Sequence, residues 1–178
     1  MRFEAIASGS SGNCVYLGSE TTHLLIDCGI SRKRILEALQ QQGLTAGDLS
    51  GILITHEHSD HIAGLSTLAA KGDFPVYATG ATIRYILDSP SGKGIDPERF
   101  VEIRPDEPFM TGDLKVCAMH ISHDAADPVG YRVWYGRKKA SICTDLGSYN
   151  DYTADCLKDS DILMLEANHD IRMLEAGP

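Results

Sequence analysis

Seven consecutive residues carry most of the chemistry in this chain: Thr55-His56-Glu57-His58-Ser59-Asp60-His61, directly after the apolar run Gly51-Ile52-Leu53-Ile54. Three imidazoles and a carboxylate within six positions are what a hydrolytic metal site requires, because neutral imidazole and ionised carboxylate are good ligands for zinc and comparable divalent ions. In an extended segment, side chains two apart point the same way, so His56 and His58 can grip one ion. The turn at Ser59 then sends Asp60 and His61 to a second position, and the cluster reads as a binuclear centre. A lone histidine at a strand end is more often a hydrogen-bonded structural residue. Packing does not require this density of ionisable groups, and crowding them without a metal costs desolvation and like-charge repulsion.

The elements that must position this loop follow from periodicity and punctuation. Residues 3–7, 15–18 and 24–26 read as strands, with the small-residue loop Ser8-Gly9-Ser10-Ser11-Gly12-Asn13 between the first two and Asp27-Cys28-Gly29 closing the third. Ser31 to Gly43 is expected to be a helix, with Ser31 as N-cap, Ile35, Leu36 and Leu39 as its apolar stripe and Gly43 as its stop. Residues 62–71 are expected to form one helix ended by Gly72-Asp73, followed by a strand at 74–78, a short helix at 80–87 and a loop at 89–94 open to substrate-contacting variation. The second half turns β-rich, with strands at 100–104, 114–121, 130–135 and 140–144, a helix at 151–157 and a buried strand at 161–165. Periodicity alone gives a mixture of α and β, with no internal repeat or linker.

A chain of 178 residues with 43% apolar content has the length of one domain, 1–178, with an ordinary core. No run reaches the length of a membrane-spanning helix and the start shows no leader pattern, so a cytoplasmic protein without membrane contact is expected. Five cysteines without CxxC spacing suggest reduced, buried thiols rather than disulfides or a cysteine zinc site. The net charge of −9 argues mildly against a nucleic-acid partner. Bound divalent ions and the local clusters Arg32-Lys33-Arg34 and Arg137-Lys138-Lys139 soften that argument, although each cluster reads first as a solvated helix start or hairpin turn.

The HxHxDH pattern after a buried strand resembles the signature of the metallo-β-lactamase superfamily. Ala7-Ser8-Gly9-Ser10-Ser11-Gly12-Asn13-Cys14, Ser122-His123-Asp124-Ala125-Ala126-Asp127-Pro128 and Glu166-Ala167-Asn168-His169-Asp170 look like its bacterial YycJ (WalJ) branch. The resemblance covers essentially the whole chain. It implies an α+β fold, a four-layer αββα sandwich, and a cytoplasmic phosphodiesterase-type enzyme, described for that branch as an exonuclease on double-stranded DNA. It implies His123 as the third ligand of the ion held by His56 and His58, where composition alone leaves His120 as a competitor. It implies Asp145 as a carboxylate bridging that ion to a second one held by Asp60 and His61. Asp27 is implied as a brace for the ligand loop, although from spacing alone it equally caps the next turn. Ser11, Asn13 and Asn168 are expected to contact substrate, while Ser8 to Asn13 reads on composition as a plain turn. Relatives carry a further histidine in a Gly-His-Leu-Ser-Asn segment absent here, so the resemblance implies a sandwich lacking its C-terminal part.

Two ions, zinc or manganese with iron admissible, make a bridging water nucleophilic near neutral pH. The expected reaction is in-line attack on a phosphodiester, with Asp60 orienting the nucleophile. His169 is either a general acid or phosphate donor, or the cap of a helix beginning at Asp170. Two rivals remain in view: hydrolysis of a thioester or lactone by the same centre, and a non-catalytic, metal-stabilised module.

Overall fold

The computed structural model describes residues 1–166. Asn168 and His169 lie outside them. The elements follow in the order β1 (Arg2–Ala7), β2 (Cys14–Gly18), β3 (His23–Ile26), α1 (Arg32–Gln41), β4 (Gly51–Leu53), α2 (Ser59–Ile62), α3 (Leu65–Ala69), β5 (Val76–Ala78), α4 (Gly80–Asp88), β6 (Phe100–Glu102), β7 (Phe109–Thr111), β8 (Leu114–His120), β9 (Val129–Tyr135), β10 (Lys138–Cys143), α5 (Asp151–Leu157) and β11 (Ile162–Leu165). One sheet has the order β1-β2-β3-β4-β5-β6, antiparallel from β1 to β3 and parallel from β3 to β6. The parallel half exists because α1, α2 with α3, and α4 supply the crossovers that parallel neighbours need. The other sheet has the order β11-β10-β9-β8-β7 and is antiparallel except for β10 with β11.

Strand alternation sorts the apolar residues into two cores. Cys14, Tyr16, Leu25, Ile52 and Ile54 point outward from the first sheet and pack with Ile35, Leu39, Leu65, Leu68 and Ile86 of the helices. Their neighbours Val15, Leu17, Leu24, Ile26 and Leu53 point inward and meet Leu114, Val116, Ala118, Tyr131, Val133 and Ile142 of the second sheet. On the far side, Met119, Ile121, Cys143, Leu146 and Cys156 gather under α5. Helix, sheet, sheet and helix are thus four layers, the αββα order that the resemblance implies.

Three local expectations are corrected. The single helix over 62–71 is two short helices, α2 and α3, and the first begins at Ser59, so Asp60 and His61 sit inside a helical turn. The break falls at Gly64, whose N–H donates to Cys28 O at 2.8 Å and where a Cβ would lie 2.2 Å from Ile30 O. The chain bends there because the backbone of the 28–30 loop presses on it. The strand at 74–78 shortens to Val76–Ala78, because Pro75 has no N–H to offer a ladder. Among the described residues the strand near 161–165 is not fully buried: Leu163 and Leu165 of β11, the last strand of that sheet order, are each 49% exposed. The 89–94 loop contains a 3₁₀ turn, Pro90–Gly92, capped by Ser89.

One buried hydroxyl ties the two sheets together just before the histidine-rich loop. Tyr131, fully buried on β9, donates to Ile54 O at 2.7 Å, and one residue later Val129 N–H donates to Thr55 O at 3.0 Å. Tyr131→Phe keeps the ring and leaves the buried carbonyl without that donor, so urea denaturation should show a loss of about 1–3 kcal/mol. An unchanged midpoint would show that this stitch contributes nothing.

Candidate metal centre

β3 and β4 end side by side, with Ile26 paired to Leu53, and the site grows from the residues that follow. Asp27 takes a left-handed backbone, φ +58, a conformation aspartate adopts more readily than most side chains. This turns its carboxylate toward the neighbouring strand end. Oδ1 accepts the Thr55 N–H at 2.8 Å, and Oδ2 accepts the Thr55 hydroxyl at 2.7 Å and His61 Nδ1–H at 2.8 Å. With its proton given to Asp27, the Thr55 oxygen accepts from His56 Nδ1 at 3.0 Å. Both imidazoles are therefore pinned at Nδ1, which aims Nε2 of each into the site.

Two groups of donor atoms converge there, His56, His58 and His123 in one and His56, His61 and Asp145 in the other, with the atoms of each group within 4.8 Å of one another. In the first, His58 Nδ1 lies 3.1 Å from His56 Nε2 and 3.2 Å from His123 Nε2. Nitrogens bound tetrahedrally at zinc distances are separated by about 3.3 Å, so these spacings fit one ion. In the second, His61 Nε2 lies 2.7 Å from Asp145 Oδ2, and His56 Nε2 lies 3.9 Å from the same oxygen. Asp145 also has a left-handed backbone, φ +53. His123 arrives on the loop after β8, and Glu57 holds that loop: its Oε1 accepts Ala126 N–H at 2.7 Å and its Oε2 accepts the Thr82 hydroxyl of α4 at 3.3 Å. His120 is exposed on β8, 4.0 Å from Asp127, and belongs to neither group.

The hydrogen-bond pattern around His61 fits a cation better than a proton. Asn13 Oδ1 accepts Gly9 N–H at 2.9 Å, which fixes its amide so that Nδ2 faces His61 Nε2 at 2.9 Å. A donor there asks Nε2 for a lone pair, whereas the carboxylate of Asp145 on the other side asks it for a proton. Asp145 Oδ2 is buried without an aligned hydrogen-bond donor. A cation between Nε2 and Oδ2 satisfies both of those atoms at once, and Asn13 Nδ2 then donates to Asp60 Oδ2, 3.4 Å away.

The charge states of the two buried imidazoles differ. Burial, reinforced by the neighbouring imidazoles of His61, His123 and His58, pushes His56 down to about 2, so it is neutral with a free lone pair. Burial alone would lower His61 too, but the Asp27 and Asp145 carboxylates outweigh it and raise the imidazole to about 10. Contact with the His61 imidazolium holds the Asp145 carboxyl below its usual range, against the burial that would raise it.

The structure thus brings together His56, His58, His61, His123 and Asp145, with Asp27 directly behind them. Asp60 stands at the edge of the second group, its Oδ2 3.5 Å from His61 Nε2 and 3.4 Å from Asn13 Nδ2. Asn13 is 2% exposed, its amide turned to His61 and Asp60, whereas Ser11 is exposed on the loop before it. Ser8 of that loop donates to Glu166 Oε2 at 3.2 Å, and Glu166 O accepts Leu146 N–H at 3.1 Å, so the start of the 166–170 motif lies next to Asp145. Thr55, Glu57 and Tyr131 position the site without having been singled out in the sequence. The signal available for Glu57 was a carboxylate between two histidines with no partner in its own segment.

A family profile described as Beta-lactamase superfamily domain matches residues 22–176. The chain belongs to this superfamily. The chain is 37% identical over 177 residues to a Bacillus anthracis protein named Exodeoxyribonuclease YycJ, an alignment covering 99% of this chain and 66% of that protein. It therefore spans just under two thirds of that relative's length. Among solved structures, zinc-bound PqqB from Methylobacterium extorquens superposes with a TM-score of 0.79 at 19% identity, over 93% of this chain and 64% of that one. The metallo-β-lactamase fold protein YhfI from Bacillus subtilis superposes with a TM-score of 0.70 at 18% identity, over 90% of this chain and 68% of that one. This superfamily member has the metallo-β-lactamase fold.

Because His61 is protonated without metal and must be neutral at Nε2 to act as a ligand, ion binding in the second group should release about one proton near pH 7.5. Its affinity should rise about tenfold per pH unit up to the imidazole's value and level off above it. Asp27→Asn removes the charge that contributes most to holding the proton, so calorimetry in buffers of different ionisation enthalpy should show fewer protons released. Equal counts for variant and parent would contradict this account of His61.

Proposed function

We propose that this chain is a two-metal phosphodiesterase of the exodeoxyribonuclease type, acting on DNA. His56, His58 and His123 hold one divalent ion, and His61, Asp145 and Asp60 hold or border the other. The observation that carries the reading is that His56 stands in both donor groups, which sets the two positions side by side as a two-metal hydrolase needs. Zinc suits the three imidazoles, and the carboxylate-containing position also accepts manganese or iron. Such ions supply Lewis acidity and acidify water to near neutrality.

The remaining steps fall to the chain's own groups. Asp60, steadied by Asn13, directs the attacking water and takes its proton as the new P–O bond forms. The ester P–O bond breaks, and the leaving oxygen is protonated by His169, which lies outside the described residues. Asn168 and Ser11 contact the substrate in the same scheme, while Asn13 orients Asp60 and His61 from behind. Among the described residues no helix is long and apolar enough to cross a membrane. The five cysteines are buried and unpaired, which accords with a cytoplasmic location. A relative named as an exodeoxyribonuclease supports DNA as the substrate.

The net charge of −9 favours one rival, an uncharged thioester or lactone hydrolysed at the same centre. A panel of bis-p-nitrophenyl phosphate, duplex DNA, a thioester and a lactone, assayed with added zinc or manganese, separates the two. Phosphodiester cleavage is expected, and Asp60→Ala should lower its kcat at least about a hundredfold with the circular dichroism spectrum unchanged. Turnover of the thioester or lactone alone would overturn the proposal.

A further inference from the structure

A cavity of about 440 Å³ opens directly beside the metal centre, and its walls include His58, Asp60, Tyr85, Ser89 and Ser91. That volume is within the range of small-molecule sites. Tyr85 is 54% exposed, and its hydroxyl has no partner among the described residues. About half of the residue therefore faces solvent beside the metal centre. The helix that carries it is nonetheless held in place. Thr82, three residues earlier on α4 and so on a neighbouring part of the same helix face, is fully buried and donates to Glu57 Oε2 at 3.3 Å. That bond indexes α4 against the loop carrying His56 and His58. The other wall is equally firm: Ser89 Oγ donates to Ile86 O at 2.9 Å and accepts Ser91 N–H at 3.2 Å, and a Cβ on Gly92 would lie 2.4 Å from Ile86 O. The 3₁₀ turn is thus pressed onto the end of α4.

No lysine or arginine lines this cavity among the described residues, and the chain as a whole is acidic. A nucleic-acid end placed there gains little from phosphate neutralisation by side chains. The group present that recognises any nucleobase is the aromatic face of Tyr85. Tyr149 is more exposed, at 79%, but it borders a separate apolar cavity with Leu146, Leu157 and Leu165, whose lining includes none of the five converging donors.

We infer that Tyr85 is a specificity-determining residue that stacks on the nucleobase next to the phosphodiester being cleaved, so that this cavity is a nucleotide subsite. The inference rests on the phosphodiesterase reading. It predicts recognition that tolerates any base and depends weakly on salt, because stacking rather than counterion release supplies the affinity.

The test compares the dinucleotide dTpdT with its analogue carrying tetrahydrofuran abasic sugars at both positions, which keeps the phosphodiester and removes the bases. The parent protein should favour dTpdT by about tenfold or more in kcat/KM, and by a similar ratio in Kd from titration calorimetry. Tyr85→Ala should bring both ratios close to one, and Tyr85→Phe should keep them. An alanine at an exposed helix position does not threaten folding. Cleavage of both compounds by the parent with equal efficiency, or an unchanged ratio in Tyr85→Ala, overturns the stacking role while leaving the phosphodiesterase reading intact. Failure of the parent to cleave or bind either compound, alongside turnover of a thioester or lactone, overturns that reading and the subsite with it.

Discussion

The carboxylate of Asp27 is the interaction on which the rest of the site depends. Its two oxygens take the Thr55 N–H, the Thr55 hydroxyl and His61 Nδ1–H, and so join the ends of β3 and β4 to the first turn after the ligand loop. All three donors are buried, as is Asp27 itself at 1% exposure. A charge held in so dry a place is tolerable only because every donor around it is aligned. The same three bonds set the tautomers of His56 and His61 and raise the proton affinity of His61. Fold and electrostatics meet in this one group.

Around that anchor the sheet architecture provides reach. The parallel half of the first sheet ends its strands on one side, where open α/β sheets place their sites. From there Asp27 and the 55–61 loop project toward the second sheet. That sheet answers with His123 after β8 and Asp145 after β10, each on a turn rather than within a strand. Two of the site's aspartates, Asp27 and Asp145, adopt positive φ, an uncommon conformation that concentrates at functional sites. The Tyr131 and Val129 bonds fix the separation of the two halves. Glu57 does the same for the His123 loop, and through Thr82 it also sets the orientation of α4.

Much of this was legible in the sequence. The density of histidines after an apolar strand marked the loop whose His56, His58 and His61 converge with His123 and Asp145, and alternation placed β1 to β4 and β8 to β10. Ser31 and Gly43 bracketed α1. What escaped notice depends on contacts between distant segments. The break at Gly64 follows from backbone pressing in from residues 28–30, which no local pattern encodes. The roles of Glu57 and Tyr131 require knowing that residues 126 and 54 lie beside them, separations of 69 and 77 positions. The short β7 is set by sheet order, since an edge strand has the same alternation as a central one. His123 and Asp145 were reached by resemblance, because a single histidine or aspartate after a strand carries no distinguishing spacing.

The central claim is that two divalent ions bind side by side, one held by His56, His58 and His123 and the other by His61 and Asp145 with Asp60 at its edge. Its most direct test is the metal stoichiometry after equilibrium dialysis against micromolar zinc or manganese, read by elemental analysis for the parent chain, for His58→Ala and for Asp145→Ala. The account predicts two ions per chain in the parent and one in each variant, with the retained ion differing in its number of imidazole ligands by X-ray absorption. One ion or none in the parent, or two ions retained in both variants, would contradict it.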